Sequence, residues 1–279
     1  MSVLIAVVQG ASLDATTLIA LKAFTGRDEW RATGHVARCP VDARDDGFDT
    51  WCRQRKLDLA YVPHDRRLAD VGLVAFDMDS TLITIECIDE IADLQGIKPQ
   101  VAAITASAMR GEIDFAESLR RRVALLANLD ESALARVYDE RLQLSPGAEE
   151  MLDAFRSVGA TTLLVSGGFT FFTDRLKSRL RLDHTASNVL GSANGKLSGT
   201  VIGDVFDANG KAAAVRRLRD RAEMAGKLTV AIGDGANDLP MMAVADVSVA
   251  YHAKPIVREK TTERIDWCGL DAVVNLFVR

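Results

Sequence analysis

The chain has 279 residues, of which 48% are hydrophobic and 26% are charged, a composition typical of a folded globular protein. Its formal net charge of −5 excludes a broadly basic surface, so nucleic acid and anionic membranes are not expected as its main partners. The four cysteines lack metal-like spacing, and no stretch approaches the ~20 apolar residues of a membrane helix. We therefore expect a cytoplasmic protein with reduced thiols, and the length favours two domains.

The first 68 residues predict a small α+β module. Strands are predicted at residues 3–8, 30–41 and 57–62, and helices at residues 13–24 and 47–56. The polar residues 64–67 follow, and we place the domain boundary near Leu68. This order resembles a shortened ACT-like domain, a βαββαβ fold that often binds amino acids, but with too few strands. The module is either an amino-acid sensor or an appendage that stabilises the chain or forms a homodimer.

From residue 71 onward, short apolar runs alternate with helical stretches. The runs are VGLVAF, TTLLVS, LTVAIG and VSVAY. Strands that are apolar on both faces and alternate with helices predict an α/β fold with a doubly wound parallel sheet over residues 69–279. Residues 84–144 contain no comparable run and predict an inserted helical cap. Three of the four runs end in polar residues, at the strand ends where such sheets bind ligands.

Two of these strand ends are acidic. Asp77 and Asp79 follow the first run in DMDST, whereas Asp234, Asn237 and Asp238 follow the third run in GDGANDL. Carboxylate and amide oxygens suit a hard cation such as Mg²⁺. Each segment alone is equally well explained as a turn, because Asp, Asn, Ser and Gly are common turn residues. Together they favour a metal site between the two strand ends.

A third strand end and a lysine support phosphate as the ligand. The run LLVSGGF offers the Ser166 hydroxyl and the backbone N–H of Gly167, groups that can hold phosphate oxygens. Lys211 begins a predicted helix and adds a positive charge. A flexible Ser-Gly-Gly turn and a solvated lysine are the alternatives, and only the whole set of features favours phosphate chemistry.

In order and spacing, DMDST, Ser166, Lys211 and GDGAND resemble the four motifs of the haloacid dehalogenase-like (HAD) hydrolase superfamily. The resemblance extends from about residue 71 to the C-terminal region and implies a Mg²⁺-dependent phosphomonoesterase. It implies that Asp77 is the nucleophile and Asp79 the general acid and base. The implied metal ligands are Asp77, the backbone carbonyl of Asp79, and Asp234, with Asp238 in support. The implied phosphoryl-binding residues are Ser166, Gly167, Lys211 and Asn237.

Residues 77–92 and 108–126 resemble segments of family members that act on phosphoserine. The resemblance implies that Glu86 binds the substrate ammonium, that Arg122 binds its carboxylate, and that Met109 and Phe115 are apolar lid contacts. Without it, Arg122 is one of three arginines on a solvated helix face, and Glu86 is an acid in a first helical turn. Another small phosphate ester, another acceptor alcohol, and a non-catalytic phosphoaspartate switch remain as alternatives.

Overall fold

A computed structural model describes residues 4–278 of the chain. The N-terminal module has four antiparallel strands in the order β2-β3-β1-β4. Its elements are β1 (Leu4–Gln9), α1 (Ala15–Thr25), β2 (Arg31–Thr33), β3 (Val36–Val41), α2 (Asp46–Gln54) and β4 (Asp58–Pro63). The predicted strand region 30–41 is two strands, because Gly34 takes a positive φ of 58° in a tight hairpin turn. The module therefore has one more strand than predicted; Val3 lies outside the described residues.

The rest of the chain is built on a seven-stranded sheet in the order β11-β10-β9-β5-β6-β7-β8. Its strands are β5 (Val71–Asp77), β6 (Thr161–Phe169), β7 (His184–Ala193), β8 (Lys196–Ile202), β9 (Leu228–Gly233), β10 (Val247–Tyr251) and β11 (Glu263–Ile265). All neighbours are parallel except β7 and β8. The four predicted apolar runs form β5, β6, β9 and β10, which confirms the predicted fold class. Sequence reasoning missed β7, β8 and β11, which lack a long apolar run.

The helices of this part of the chain are α3 (Cys87–Leu94), α4 (Lys98–Met109), α5 (Phe115–Ala124), α6 (Ser132–Arg136), α7 (Ala148–Ser157), α8 (Thr170–Leu180), α9 (Ala208–Arg219), α10 (Leu239–Met242) and α11 (Pro255–Arg258). Helices α7 and α8 pack on one face of the sheet, and α9 to α11 pack on the other. Alternate residues of β5 enter different cores: Val74 and Phe76 join that of α7 and α8, whereas Leu73 and Ala75 join that of α9 and α10. The segment between β5 and α7 contains helices α3 to α6, which we call the cap. No helix among residues 4–278 is long and apolar enough to cross a membrane.

A buried carboxylate fixes the N-terminal module to the edge of the larger sheet. Asp58 begins β4 and is 4% exposed. It accepts hydrogen bonds from the backbone N–H groups of Asp266, Trp267 and Cys268, at 2.6, 3.1 and 2.9 Å. These donors follow β11, so one side chain accepts the hydrogen bonds of three backbone N–H groups that lie about 200 residues away in sequence.

We expect Asp58→Ala to lower the free energy of unfolding by about 3 kcal/mol, because it leaves three backbone donors without their charged acceptor. Thermal and urea unfolding would measure the loss. Asp28→Ala, which removes an exposed carboxylate from the same module, is the matched control and should change stability by less than about 0.5 kcal/mol. Equal stability of the two variants would contradict this role of Asp58.

Candidate active site

A cavity of about 750 Å³ lies at the carboxyl ends of β5, β6 and β9, and helices α4 and α5 of the cap also line it. Most of the predicted site residues line it: Asp77, Asp79, Glu86, Met109, Phe115, Arg122, Gly167, Asp234 and Asn237. The others, Ser166, Lys211 and Asp238, are buried at its base. The strand ends converge because parallel strands present their carboxyl ends at one edge of the sheet.

Asp77 is the last residue of β5, and a tight turn through residues 78–82 follows it. The Asp77 Oδ1 atom accepts a hydrogen bond from the backbone N–H of Met78 at 2.7 Å. Ser80 has a φ of 56°, in the left-handed region that non-glycine residues rarely adopt and that is common at functional sites. The turn, rather than continued strand geometry, brings Asp79 to the same cavity as Asp77.

Asp79 is held at the start of the cap. Its Oδ1 atom accepts a hydrogen bond from the backbone N–H of Cys87 at 3.0 Å. Burial, together with the neighbouring Glu86 carboxylate, raises the pKa of Asp79 to about 7. Glu86 itself accepts a hydrogen bond from the Ser80 hydroxyl at 2.7 Å. A carboxyl group with this pKa has both protonated and ionised forms near neutral pH, as a general acid and base requires.

Lys211 lies in the protein interior, 1% exposed, between two carboxylates. Its Nζ atom is 2.7 Å from Asp77 Oδ1 and 2.8 Å from Asp238 Oδ1. Burial lowers the pKa of Lys211, but Asp238 and Asp77 outweigh it and raise the pKa above its usual value. The prediction that Lys211 begins its helix is wrong. Helix α9 begins at Ala208, because the Asp207 carboxylate caps the backbone N–H groups at residues 209 and 210.

The donor set at the base of the cavity fits a hard metal ion. Asp77, Asp234 and Asp238 offer carboxylate oxygens that lie within 4.8 Å of one another. Both oxygens of Asp238 have partners, Lys211 Nζ and the backbone N–H of Gly235. Burial and the Asp238 carboxylate raise the pKa of Asp77, and the same causes raise that of Asp234 to about 6. Three carboxylates against one ammonium leave negative charge that a divalent cation would compensate.

The end of β6 brings a hydroxyl and two glycines close to the aspartates. Ser166 Oγ accepts a hydrogen bond from the backbone N–H of Gly168 at 2.8 Å. A Cβ atom at Gly167 would lie only 2.9 Å from the Phe115 ring of the cap, so glycine permits their contact. Asn188 donates a hydrogen bond to the Gly167 carbonyl at 2.9 Å. Sequence reasoning missed Asn188, which lies on the polar strand β7 and has no local motif.

The cap contributes Arg122, Met109 and Phe115. Arg122 is partly buried on α5 and lines the cavity, whereas Arg121 is exposed and pairs with Glu117 on the same helix. Helical rotation of about 100° per residue separates these arginines, so local spacing does not choose between them, and the one that lines the cavity is the one that the family resemblance selected. Met109, at the end of α4, is 73% exposed at the rim. Further lining residues that the sequence did not indicate include Ser118, Asp207, Lys254 and Ile256.

Comparison with known proteins agrees with this arrangement. The family model described as haloacid dehalogenase-like hydrolase matches residues 71–246. A phosphoserine phosphatase of Polaromonas sp. is 50% identical over 217 residues, which cover 76% of this chain and 92% of the relative. The chain belongs to the haloacid dehalogenase-like hydrolase family.

Two solved structures lead to a particular branch of that family. The crystal structure of a probable phosphoserine phosphatase from Vibrio cholerae matches with a TM-score of 0.84 and 38% identity, over 99% of this chain and 86% of that one. A substrate-bound phosphoserine phosphatase complex matches with a TM-score of 0.68 and 36% identity, over 75% of this chain and 99% of that one. The relative from Polaromonas sp. and these two solved structures are thus named phosphoserine phosphatases or a probable one.

Proposed function

We propose that this chain hydrolyses O-phospho-L-serine to serine and phosphate through a phosphoaspartyl intermediate on Asp77. The observation that carries the proposal is the set of charges around one cavity. Asp77 lies beside Lys211, and Glu86 and Arg122 line the same cavity. Phosphoserine carries a phosphate, an ammonium and a carboxylate, and the charges of Lys211, Glu86 and Arg122 complement these three groups. Because the reaction releases serine itself, we propose that it is the last step of serine synthesis.

The chemical steps belong to the two aspartates of the turn after β5. The Asp77 carboxylate attacks phosphorus in line with the serine oxygen, and the P–O bond to serine breaks as the bond to Asp77 forms. Asp79 donates a proton to the departing serine oxygen. It then accepts a proton from the water that attacks the phosphoaspartate, which releases phosphate and restores the Asp77 carboxylate.

Mg²⁺ is the cation that we propose for the acidic cluster. Asp77, Asp234 and the backbone carbonyl of Asp79 would hold it, with Asp238 in support. When bound, it supplies positive charge that reduces the repulsion between the nucleophilic carboxylate and the phosphate. Asp238 supports this arrangement by binding Lys211 at 2.8 Å and the backbone N–H of Gly235 at 3.0 Å.

The phosphoryl oxygens are bound by donors at the base of the cavity. The Lys211 ammonium, the Ser166 hydroxyl and the backbone N–H of Gly167 stabilise the negative charge that these oxygens carry in the transition state. Asn237 lies beside Asp238, to which its side-chain amide donates at 3.4 Å, and lines the cavity near the attacked group.

The cap binds the amino-acid part of the substrate. Glu86 pairs with its ammonium, and the planar guanidinium of Arg122 binds its carboxylate through two parallel hydrogen bonds. Met109 and Phe115 close over the substrate and exclude bulk water, which protects the phosphoaspartate until serine has left. The packing of the Phe115 ring against Gly167 supports a contact between cap and sheet.

Release of inorganic phosphate from a panel of phosphate esters, with Mg²⁺ or with EDTA, tests the proposed function. We expect phosphoserine to be the preferred ester and EDTA to abolish release. Preference for a different small ester, or phosphate transfer to an added alcohol, would identify the alternative substrate or acceptor. A stable phosphoprotein without phosphate release would instead favour the phosphoaspartate switch.

We expect Arg122→Ala to raise KM for phosphoserine about 10- to 100-fold, because the variant loses a charge-assisted contact with the substrate carboxylate. KM for p-nitrophenyl phosphate, which has no carboxylate, should stay unchanged. Steady-state kinetics with both esters would measure the difference. Arg121→Ala, on the solvent side of the same helix, is the control. An equal effect of Arg122→Ala on both esters would remove Arg122 from substrate recognition.

The N-terminal module has a separate proposed role. We propose that residues 1–68 form an ACT-like module, and that residues 69–279 form the catalytic domain with a cap at about 84–144. The module is a candidate for binding an amino acid and for forming a homodimer. Calorimetric binding of serine that persists in Arg122→Ala would support the first role, and light scattering of the full chain tests the second.

A further inference from the structure

The mouth of the cavity holds a cation that the proposed mechanism does not use. Lys254 lines the cavity with Asp234 and Ile256, and it is exposed to solvent. It immediately precedes helix α11. The backbone N–H of Lys254 donates to the backbone carbonyl of Asp234 at 3.1 Å, which fixes this residue beside the end of β9. The position of Lys254 therefore depends on a main-chain contact, and its side chain is available for another role.

The charge of Lys254 is also available. Among residues 4–278, no carboxylate forms an ion pair with the Lys254 ammonium, whereas Lys211 is held between two carboxylates. The ammonium nevertheless acts on the site, since its charge works against the burial and the Asp238 charge that raise the pKa of Asp234. Arg122 is the other cation that lines the cavity, and it belongs to the cap.

Carboxylates outnumber cations in the cavity lining, with Asp77, Asp79, Glu86, Asp207 and Asp234 against Arg122 and Lys254. Lys211 compensates Asp77, and the proposed Mg²⁺ would compensate Asp234, whereas no cation among residues 4–278 forms an ion pair with Glu86 or Asp207. These two carboxylates repel the phosphate group of an ester, which carries about two negative charges, before it reaches the buried Lys211. An exposed cation at the sheet side of the mouth would offset this repulsion where the encounter begins.

We propose that Lys254 is a substrate-capture residue that attracts the phosphate group of the incoming ester at the cavity mouth. The proposal rests on the proposed function, since it assigns a further residue to the same reaction. The Lys254 ammonium attracts the phosphate from solvent and holds it beside Asp234 until it reaches Asp77 and Lys211. Because the contact belongs to the encounter, Lys254 affects KM and kcat/KM more than kcat.

The test compares Lys254→Met, Lys254→Arg and Lys260→Met by steady-state hydrolysis of phosphoserine with Mg²⁺, at low and at high KCl concentration. Methionine keeps most of the apolar stem and removes the charge, and each variant retains the backbone N–H that binds Asp234. Lys260 is the matched control, since it is exposed in the same segment and does not line the cavity.

We expect Lys254→Met to raise KM about three- to tenfold while kcat stays within about twofold of the wild-type value. Its kcat/KM should fall less steeply with added salt than that of the wild type, because the screened attraction is gone. Lys254→Arg should restore both KM and salt dependence, and Lys260→Met should match the wild type.

Two results would overturn the role of Lys254 while the proposed function stands. One is equality of Lys254→Met and Lys260→Met in KM and salt dependence. The other is a loss of kcat with unchanged KM, which would assign Lys254 to the chemical step instead of capture. A wild-type chain without activity on phosphoserine would overturn the proposed function and this inference together, so the two failures are distinguishable.

Discussion

Asp77→Asn is expected to lower kcat for phosphoserine by at least about 10⁴-fold while the fold is retained, because a carboxamide cannot form the phosphoaspartyl bond. Asparagine has nearly the same shape as aspartate, and its carbonyl oxygen can still accept the 2.7 Å hydrogen bond from Met78 N–H. Phosphate release measures the loss, and circular dichroism with thermal unfolding checks the fold. A variant with wild-type turnover would contradict the proposed mechanism.

Two further variants separate this mechanism from a general loss of charge. Asp204→Asn removes an exposed carboxylate outside the cavity and should leave kcat unchanged. Asp79→Asn keeps the nucleophile but loses the general acid and base, so both phosphorylation by phosphoserine and release of phosphate should slow. With p-nitrophenyl phosphate, whose leaving group needs no proton, this variant should still become phosphorylated while release of phosphate from the protein slows. Intact-protein mass spectrometry of the quenched reaction would detect the phosphorylated form. Phosphorylation of Asp77→Asn to the same extent would place the intermediate on a different residue.

Lys211→Met is expected to lower both activity and stability. The variant leaves Asp77 and Asp238 buried without their shared ammonium. Removal of one partner of a buried ion pair lowers the free energy of unfolding by about 3–5 kcal/mol. Loss of the phosphoryl-binding charge should also lower kcat by about 10²- to 10³-fold. Urea unfolding in EDTA measures the first effect, and phosphate release with Mg²⁺ measures the second.

The physical cause of the stability loss can be checked by a second substitution. Adding Asp238→Asn to Lys211→Met removes one uncompensated carboxylate, so the double variant should regain part of the lost unfolding free energy. Mg²⁺ should stabilise Lys211→Met more than the wild type, because the cation then has more unpaired negative charge to compensate. Additive destabilisation by the two substitutions would argue against charge as the cause.

Local sequence patterns predicted where Asp77 and Asp234 lie, because a buried apolar run predicts a parallel strand and the carboxyl end of such a strand has a known position. The runs before Asp77 and Asp234 are apolar on both faces, which predicts parallel strands, and the ends of such strands meet at one edge. The same rule placed Ser166 at this edge. The rule did not predict the antiparallel β7-β8 pair, because these strands are rich in polar residues and lack a long apolar run. Asn188, which lies on β7 beside Gly167, was therefore missed.

Amino-acid sequence by itself determined the α/β fold, the helical insertion and the aspartate strand ends, since these depend on composition and periodicity within a few neighbouring residues. Tertiary structure alone decided that Lys211 is buried between two carboxylates. It placed Arg122, which the family resemblance had selected, in the cavity lining, while Arg121 is exposed. It also decided that Lys254 stands unpaired, among the described residues, at the cavity mouth. These features depend on distances between groups far apart in the chain, and local spacing carries no information about such distances.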